Sequence, residues 1–128
     1  MPQSPAADSG AVAVPSTVTP LIVATDLAGP LVARAANTGA DVGVIEVAFS
    51  WSGAPADFVV WPTTAFGGSA GAGIPAGATV DVPLPMNRPP FIRVRGNALT
   101  TNTILRVQLY ELVLRRGMSS GAFAPYVP

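Results

Sequence analysis

From residue 45 the chain alternates with a period of two: Ile45, Val47, Phe49 and Trp51 fall on one side, and Glu46, Ala48 and Ser50 on the other. Such alternation describes a strand with one face in a core and one face outside. Residues 42–51 are therefore read as a strand with Trp51 on its core side. Shorter apolar runs surround it. Residues 12–14 and 21–24 lie beside prolines and read as edge or arm strands, since proline has no N–H for a ladder. Residues 31–36 form a further candidate, closed by the turn signal Asn37-Thr38-Gly39. A short strand at 58–61 stops at Pro62. In 79–84, Val80, Val82 and Leu84 share a face, and Pro83 and Pro85 mark an edge. In 91–95, Arg93 and Arg95 stand on the side of Phe91, opposite Ile92 and Val94.

Residues 104–114 fit two periods. Leu105, Val107 and Leu109 alternate with Arg106 and Gln108, and then the phase flips to Tyr110, Leu112 and Leu114. As a strand, this run needs a β-bulge near Leu109-Tyr110. As a helix, it would align Leu105, Leu109 and Leu112 and pair Glu111 with Arg115 four residues on. The strand reading agrees with the rest of the chain.

Thirteen glycines and fourteen prolines, spread at short intervals over 128 residues, separate these runs. That spacing is expected of an all-β, two-sheet antiparallel sandwich, with the jelly roll among its forms. We divide the chain into an N-terminal arm at 1–9 (Pro, Ser, Ala and Asp, read as mobile), a sandwich at 10–116 and a C-terminal tail at 117–128, and find no internal repeat.

Charge changes the picture most. Only 11% of residues are charged, against about 25% in a typical domain, and seven arginines balance seven acidic residues. Lysine, histidine and cysteine are absent. A free-standing domain usually keeps its surface charged and its net charge away from zero, so neighbouring subunits are expected to cover part of this one. The missing cysteines exclude disulfide and thiolate chemistry. With no basic run, nucleic-acid binding is not expected. The first ten residues lack a secretory pattern, and no run is apolar and long enough for a membrane helix.

The segment 66–77 holds five glycines and two catalytic look-alikes. Gly67-Gly68-Ser69-Ala70-Gly71 has the spacing of a nucleophile elbow, which needs a following helix and a histidine base. The chain contains no histidine, so it cannot build a Ser-His-Asp triad alone. Residues 71–76 match a dinucleotide fingerprint without the βαβ unit that gives it meaning. Asp8, Asp26, Asp41, Asp57 and Asp81 never take the spacing of a calcium loop. The expectation is a non-enzyme with no catalytic residue, cofactor or metal, and with this segment as a loop tip or a loop that orders against a neighbour.

The candidate interface residues are Arg93, Arg95, Arg106, Trp61, Phe123 and Tyr126. The three arginines would form a basic stripe if their strands are neighbours, pairing across subunits with Glu46, Asp41 or Asp81. Trp51 and Trp61 also raise a sugar-stacking platform, favoured if Trp61 is exposed among polar groups.

The arm at 1–9, the strand 42–51, the segments 91–95 and 104–114, and the tail 123–128 together resemble small phage virion proteins of the head-decoration, or cement, type. The resemblance is one of overall pattern over most of the chain, without a diagnostic motif. It implies a homo-oligomer such as a trimer, seated on a capsid, located in the virion after assembly in the host cytoplasm, with no catalysis and no cofactor. The alternatives are a carbohydrate- or receptor-binding sandwich, and an enzyme subunit completed by a partner.

Overall fold

Strands make up most of the computed structural model, which describes residues 4–62, 66 and 73–112. In chain order they are β1 (Ala7–Asp8), β2 (Val12–Pro15), β3 (Thr19–Asp26), β4 (Leu31–Asn37), β5 (Gly43–Ser50), β6 (Val59–Val60), β7 (Thr79–Pro83), β8 (Phe91–Ala98) and β9 (Asn102–Glu111). A single 3-10 turn, Pro55–Asp57, lies between β5 and β6. One sheet runs β1-β9-β4-β7 with β2 also on β9; the other runs β3-β8-β5-β6. Every pairing is antiparallel. The partners nest: β5 with β6, β4 with β7, β3 with β8, β2 with β9. A long hairpin rolled into two sheets gives this order, and that is the jelly roll.

The core lies where the alternation points inward. Leu31, Ala33 and Ala35 of β4 and Leu105, Val107 and Leu109 of β9 face Ile45, Val47 and Phe49 of β5 and Ile92 and Val94 of β8 across the sandwich. Burying each large aliphatic or aromatic side chain is worth about 1.5–3 kcal/mol, against about 0–1 kcal/mol for an exposed ion pair. The core, not the surface charge, holds the fold.

Three expectations need correction. Residues 6–8 are not a mobile arm: β1 adds to β9 at Ala7↔Leu109 and Asp8↔Gln108. Gly10, with φ of 69°, lets the chain bulge out between β1 and β2, and Ser9 Oγ accepts the Val107 N–H at 2.9 Å across the gap. Residues 104–111 are strand, as expected, but the bulge near Leu109-Tyr110 is absent: β9 pairs with β4 without interruption from Asn37↔Leu105 to Leu31↔Glu111. Tyr110 points outward beneath Arg34, 5.9 Å from the ring centroid. Leu112 is past the strand end and half exposed, and Leu114 lies outside the described residues. Two residues of the 66–77 segment are core, not loop tip. Phe66 and Ile74 are fully buried, and Ile74 exchanges both backbone hydrogen bonds with Gly43, at 3.0 and 2.7 Å. The look-alike motif around Ser69 lies outside the described residues.

The sheet edges resist further pairing. β3 carries two register shifts, between Pro20 and Ile22 and between Ile22 and Thr25, β2 and β7 end in Pro15 and Pro83, and β6 has two residues. Prolines, bulges and short length are the usual defences of an exposed edge.

One end of the sandwich is tied by polar side chains. Asn37 is fully buried with every side-chain valence used. Its Nδ2 donates to the Asp41 and Ile74 carbonyls at 2.7 and 2.8 Å, and its Oδ1 accepts from Thr103 Oγ1 at 2.6 Å and Gly39 N–H at 3.1 Å. Asp41 Oδ2 accepts from Thr100 N and Oγ1 and from Thr101 N, at 2.8–2.9 Å, clasping the β8–β9 turn. Those donors, the Thr101 N–H foremost, hold the Asp41 carboxyl down at about 2. The clasp therefore stabilises the fold fully above the ordinary carboxylate value and is lost as pH falls through about 2. Arg106 and Arg34 hold Asp8 and Asp81 low in the same sense. Unfolding midpoints are expected to drop on acidification from about pH 4 to pH 2, and Asp41→Asn should flatten part of that drop. An acid profile unchanged by Asp41→Asn would remove the clasp from this account.

Candidate functional site

The other end of the sandwich opens into a cleft of about 440 Å³. Its walls are the end of β5 (Phe49, Ser50), Trp51, Asp57, β6 with Trp61 and Pro62, and the β7–β8 connection with Pro85, Asn87, Arg88 and Pro89. Local chemistry builds each wall. Ser50 is buried, and its Oγ accepts the N–H of Ser52 at 3.1 Å and of Gly53 at 2.9 Å. That cap turns the chain after β5. Gly53 takes φ of 82° against the ring of Phe91, where a Cβ would stand 3.0 Å from Cδ1, so the turn requires glycine.

This turn corrects the reading of Trp51. The alternation of β5 stops at Ser50, so Trp51 is swung out of the core and is 76% exposed. Trp61 is the half-buried one. It packs on Phe49 with ring centroids 5.9 Å apart, and its N–H extends the edge by donating to the Val47 carbonyl at 2.8 Å. The two tryptophans line the same cleft, one as floor and one as rim. Of the residues lining it, Val59 is 72% exposed; Met86, between the lining residues Pro85 and Asn87 in sequence, is 70% exposed.

Arg88 closes the cleft from behind. It is 9% exposed, and its guanidinium donates to the carbonyls of Leu27 at 2.8 Å, Gly29 at 2.6 Å and Pro89 at 3.3 Å. Its Nε is buried without a partner, and burial lowers the arginine's proton affinity. It joins the β3–β4 turn to the β7–β8 connection.

The candidate arginines are not one stripe. Arg93 and Arg95 are on β8 and Arg106 is on β9, in different sheets. Nor do Arg95 and Arg106 await a partner subunit: Arg95 Nε meets its cross-strand neighbour Glu46 at 2.7 Å, and Arg106 grips Asp8 with two bonds of 2.6 and 3.0 Å. Asp81 is taken by Arg34 at 2.7 Å, and Asp41 by the β8–β9 turn. Arg93 stacks on Phe58 at 4.6 Å from the ring centroid. That stack brings the 51–58 return across the outer side of β5, where Ala48, paired with Arg93, is buried. Phe123 and Tyr126 lie outside the described residues.

The sequence reading missed Arg88 and Asn87, and misplaced Trp51. An arginine set among Pro85, Pro89 and Pro90 was a signal for Arg88, since an isolated charge between prolines has few local partners. For Trp51 the signal was the Ser-Ser-Gly spacing at 50, 52 and 53, a turn composition that starts before the tryptophan.

Chemically, the cleft offers apolar walls, one exposed indole, and a few polar groups at Ser50, Asp57 and Asn87. It suits an apolar or aromatic group more than an ion. The chain matches no protein-family model, no curated protein and no solved structure.

Proposed function

We propose that this chain is a structural subunit of a virus particle, a capsid decoration or stabilising protein that works through protein–protein contacts, without catalysis, and as a homo-oligomer. The observation that carries the reading is the distribution of polarity. Arg34, Arg95 and Arg106 are consumed by pairs within the chain, while Trp51 and Val59 are left bare along one cleft. Apolar groups gathered in one place on a weakly charged surface mark a protein contact. Internal pairing leaves the outer face of the β1-β9-β4-β7 sheet electrically quiet, which fits a subunit placed among many copies of itself.

The test is compositional and structural. Particles purified from the source strain should contain this chain at a fixed stoichiometry to the major capsid protein. Cryo-electron microscopy should seat its Trp51 end on the lattice or on a neighbouring copy. Particles lacking the chain would end the proposal.

The second reading is a saccharide-binding sandwich: Trp61, half-buried on Phe49, does not favour it, but the exposed Trp51 shares the cleft with Asp57 and Asn87. An exposed indole offers a flat apolar face to a sugar ring. On a glycan array the full chain would then bind a defined set, and Trp51→Ala would abolish binding. An array without signal sets this reading aside.

A further inference from the structure

We propose that, in the free subunit, the cleft between Trp51 and Trp61 is the seat of the chain's own C-terminal segment, residues 113–128, with Phe123 or Tyr126 as the group inserted. The proposal rests on the cleft itself and not on the virion reading.

Four observations converge on it. The first is where the segment starts. Leu112 donates its N–H to the Pro30 carbonyl at 3.0 Å, beside the β3–β4 turn that Arg88 ties to the cleft wall through Leu27 and Gly29. The segment therefore leaves the sandwich at the end where the cleft opens. The second is reach. Extended chain spans up to about 3.3–3.6 Å per residue, so Tyr126, fourteen residues beyond Leu112, commands on the order of 45 Å, ample for one end of a small sandwich. The third is shape and polarity. The cleft is apolar, and the segment offers Phe123-Ala124-Pro125-Tyr126-Val127-Pro128, two aromatic rings between prolines. The fourth is charge. All seven acidic residues fall within 4–112, with five of the seven arginines. The body thus carries a formal charge of −2, and Arg115 and Arg116 give the segment +2. At the cleft end, Asp57 lines the wall and Asp26 sits opposite Phe91. Among the described residues neither is in an ion pair.

A tethered segment acts at an effective concentration on the order of mM. At about 10 µM chain, that favours the subunit's own segment over a neighbour's by on the order of a hundredfold. Any other group that uses the cleft must then compete with the segment.

Two properties of the chain make the test clean. Its only tryptophans, Trp51 and Trp61, both line the cleft, so tryptophan emission reports on this site alone. It also has no cysteine, so an introduced pair is unique. In the full chain, Phe123→Ala with Tyr126→Ala should shift tryptophan emission to the red and raise quenching by acrylamide, with the thermal midpoint of the sandwich little changed. The variant Met86→Cys with Ala124→Cys should oxidise to an intramolecular disulfide, at least about tenfold faster than Thr79→Cys with Ala124→Cys, as the local concentration requires. Unchanged emission, equal crosslinking rates, or crosslinks found only between chains would each overturn the proposal. Seating of the segment is read on the isolated subunit, whereas the virion reading is read on particles, so either can fail alone.

Discussion

Replacing Asn37 with leucine will lower the stability of the sandwich by about 4 kcal/mol, the largest effect of any single polar substitution we expect here. Leucine matches asparagine in size, so little of the loss would come from packing. The loss comes from four groups that Asn37 now satisfies: the Thr103 hydroxyl, the Gly39 N–H and the carbonyls of Asp41 and Ile74. Thr103 is itself buried, and the bond to Ile74 is buried, so neither group can turn to water. A buried polar group left without a partner costs about 1–3 kcal/mol. The Gly39 and Asp41 groups are only part-buried and add less. Denaturant unfolding of wild type and variant would read the difference directly, and a loss below about 1 kcal/mol would mean that water replaces the amide. Adding Thr103→Val should recover part of the loss, because it removes one orphan.

Arg88→Met is expected to cost about 2 kcal/mol, and the effect is local. Methionine keeps the apolar stem and removes the three bonds that hold Leu27, Gly29 and Pro89. Bonds from a charged donor are worth about 1.5–3 kcal/mol each. Against this stands relief of the desolvation that the buried guanidinium suffers, including its unpartnered Nε, which offsets much of the sum. The signature is therefore regional: amide exchange should quicken at 27–30 and 84–90 while β4 and β9 stay protected. Uniform loosening of the whole sandwich, or none, would show that Arg88 does not join those two connections.

Much of this architecture is legible along the chain because a strand writes its two faces locally. Ile45, Val47 and Phe49, or Ile92 and Val94, declare the core side within a few residues, and proline marks the edges. What is not legible is who stands beside whom. The partners Arg34 and Asp81 are 47 residues apart, Glu46 and Arg95 are 49, and Asp8 and Arg106 are 98. No local pattern distinguishes these pairs from others of the same charge, which is why Arg93, Arg95 and Arg106 read as one stripe when they belong to two sheets. The cleft was hidden for a related reason. Its rim is set by the turn at Ser50, where a hydroxyl capping two N–H groups overrides the alternation by one residue and moves Trp51 from core to surface.

The nested pairing of the strands also dictates when this chain can fold. β9 is the hub of its sheet, flanked by β4 on one side and by β1 and β2 on the other, and it is the last of the described strands to be synthesised. Residues 7–15 have no place to lie until residues 102–109 exist. Apart from the short β5–β6 pairing, the first half of the chain therefore emerges from the ribosome without its strand partners, and the sandwich closes only after Glu111 is free. Such long-range closure is slow compared with local folding, and in that interval the blunt, proline-marked edges protect the nascent chain from pairing with its neighbours.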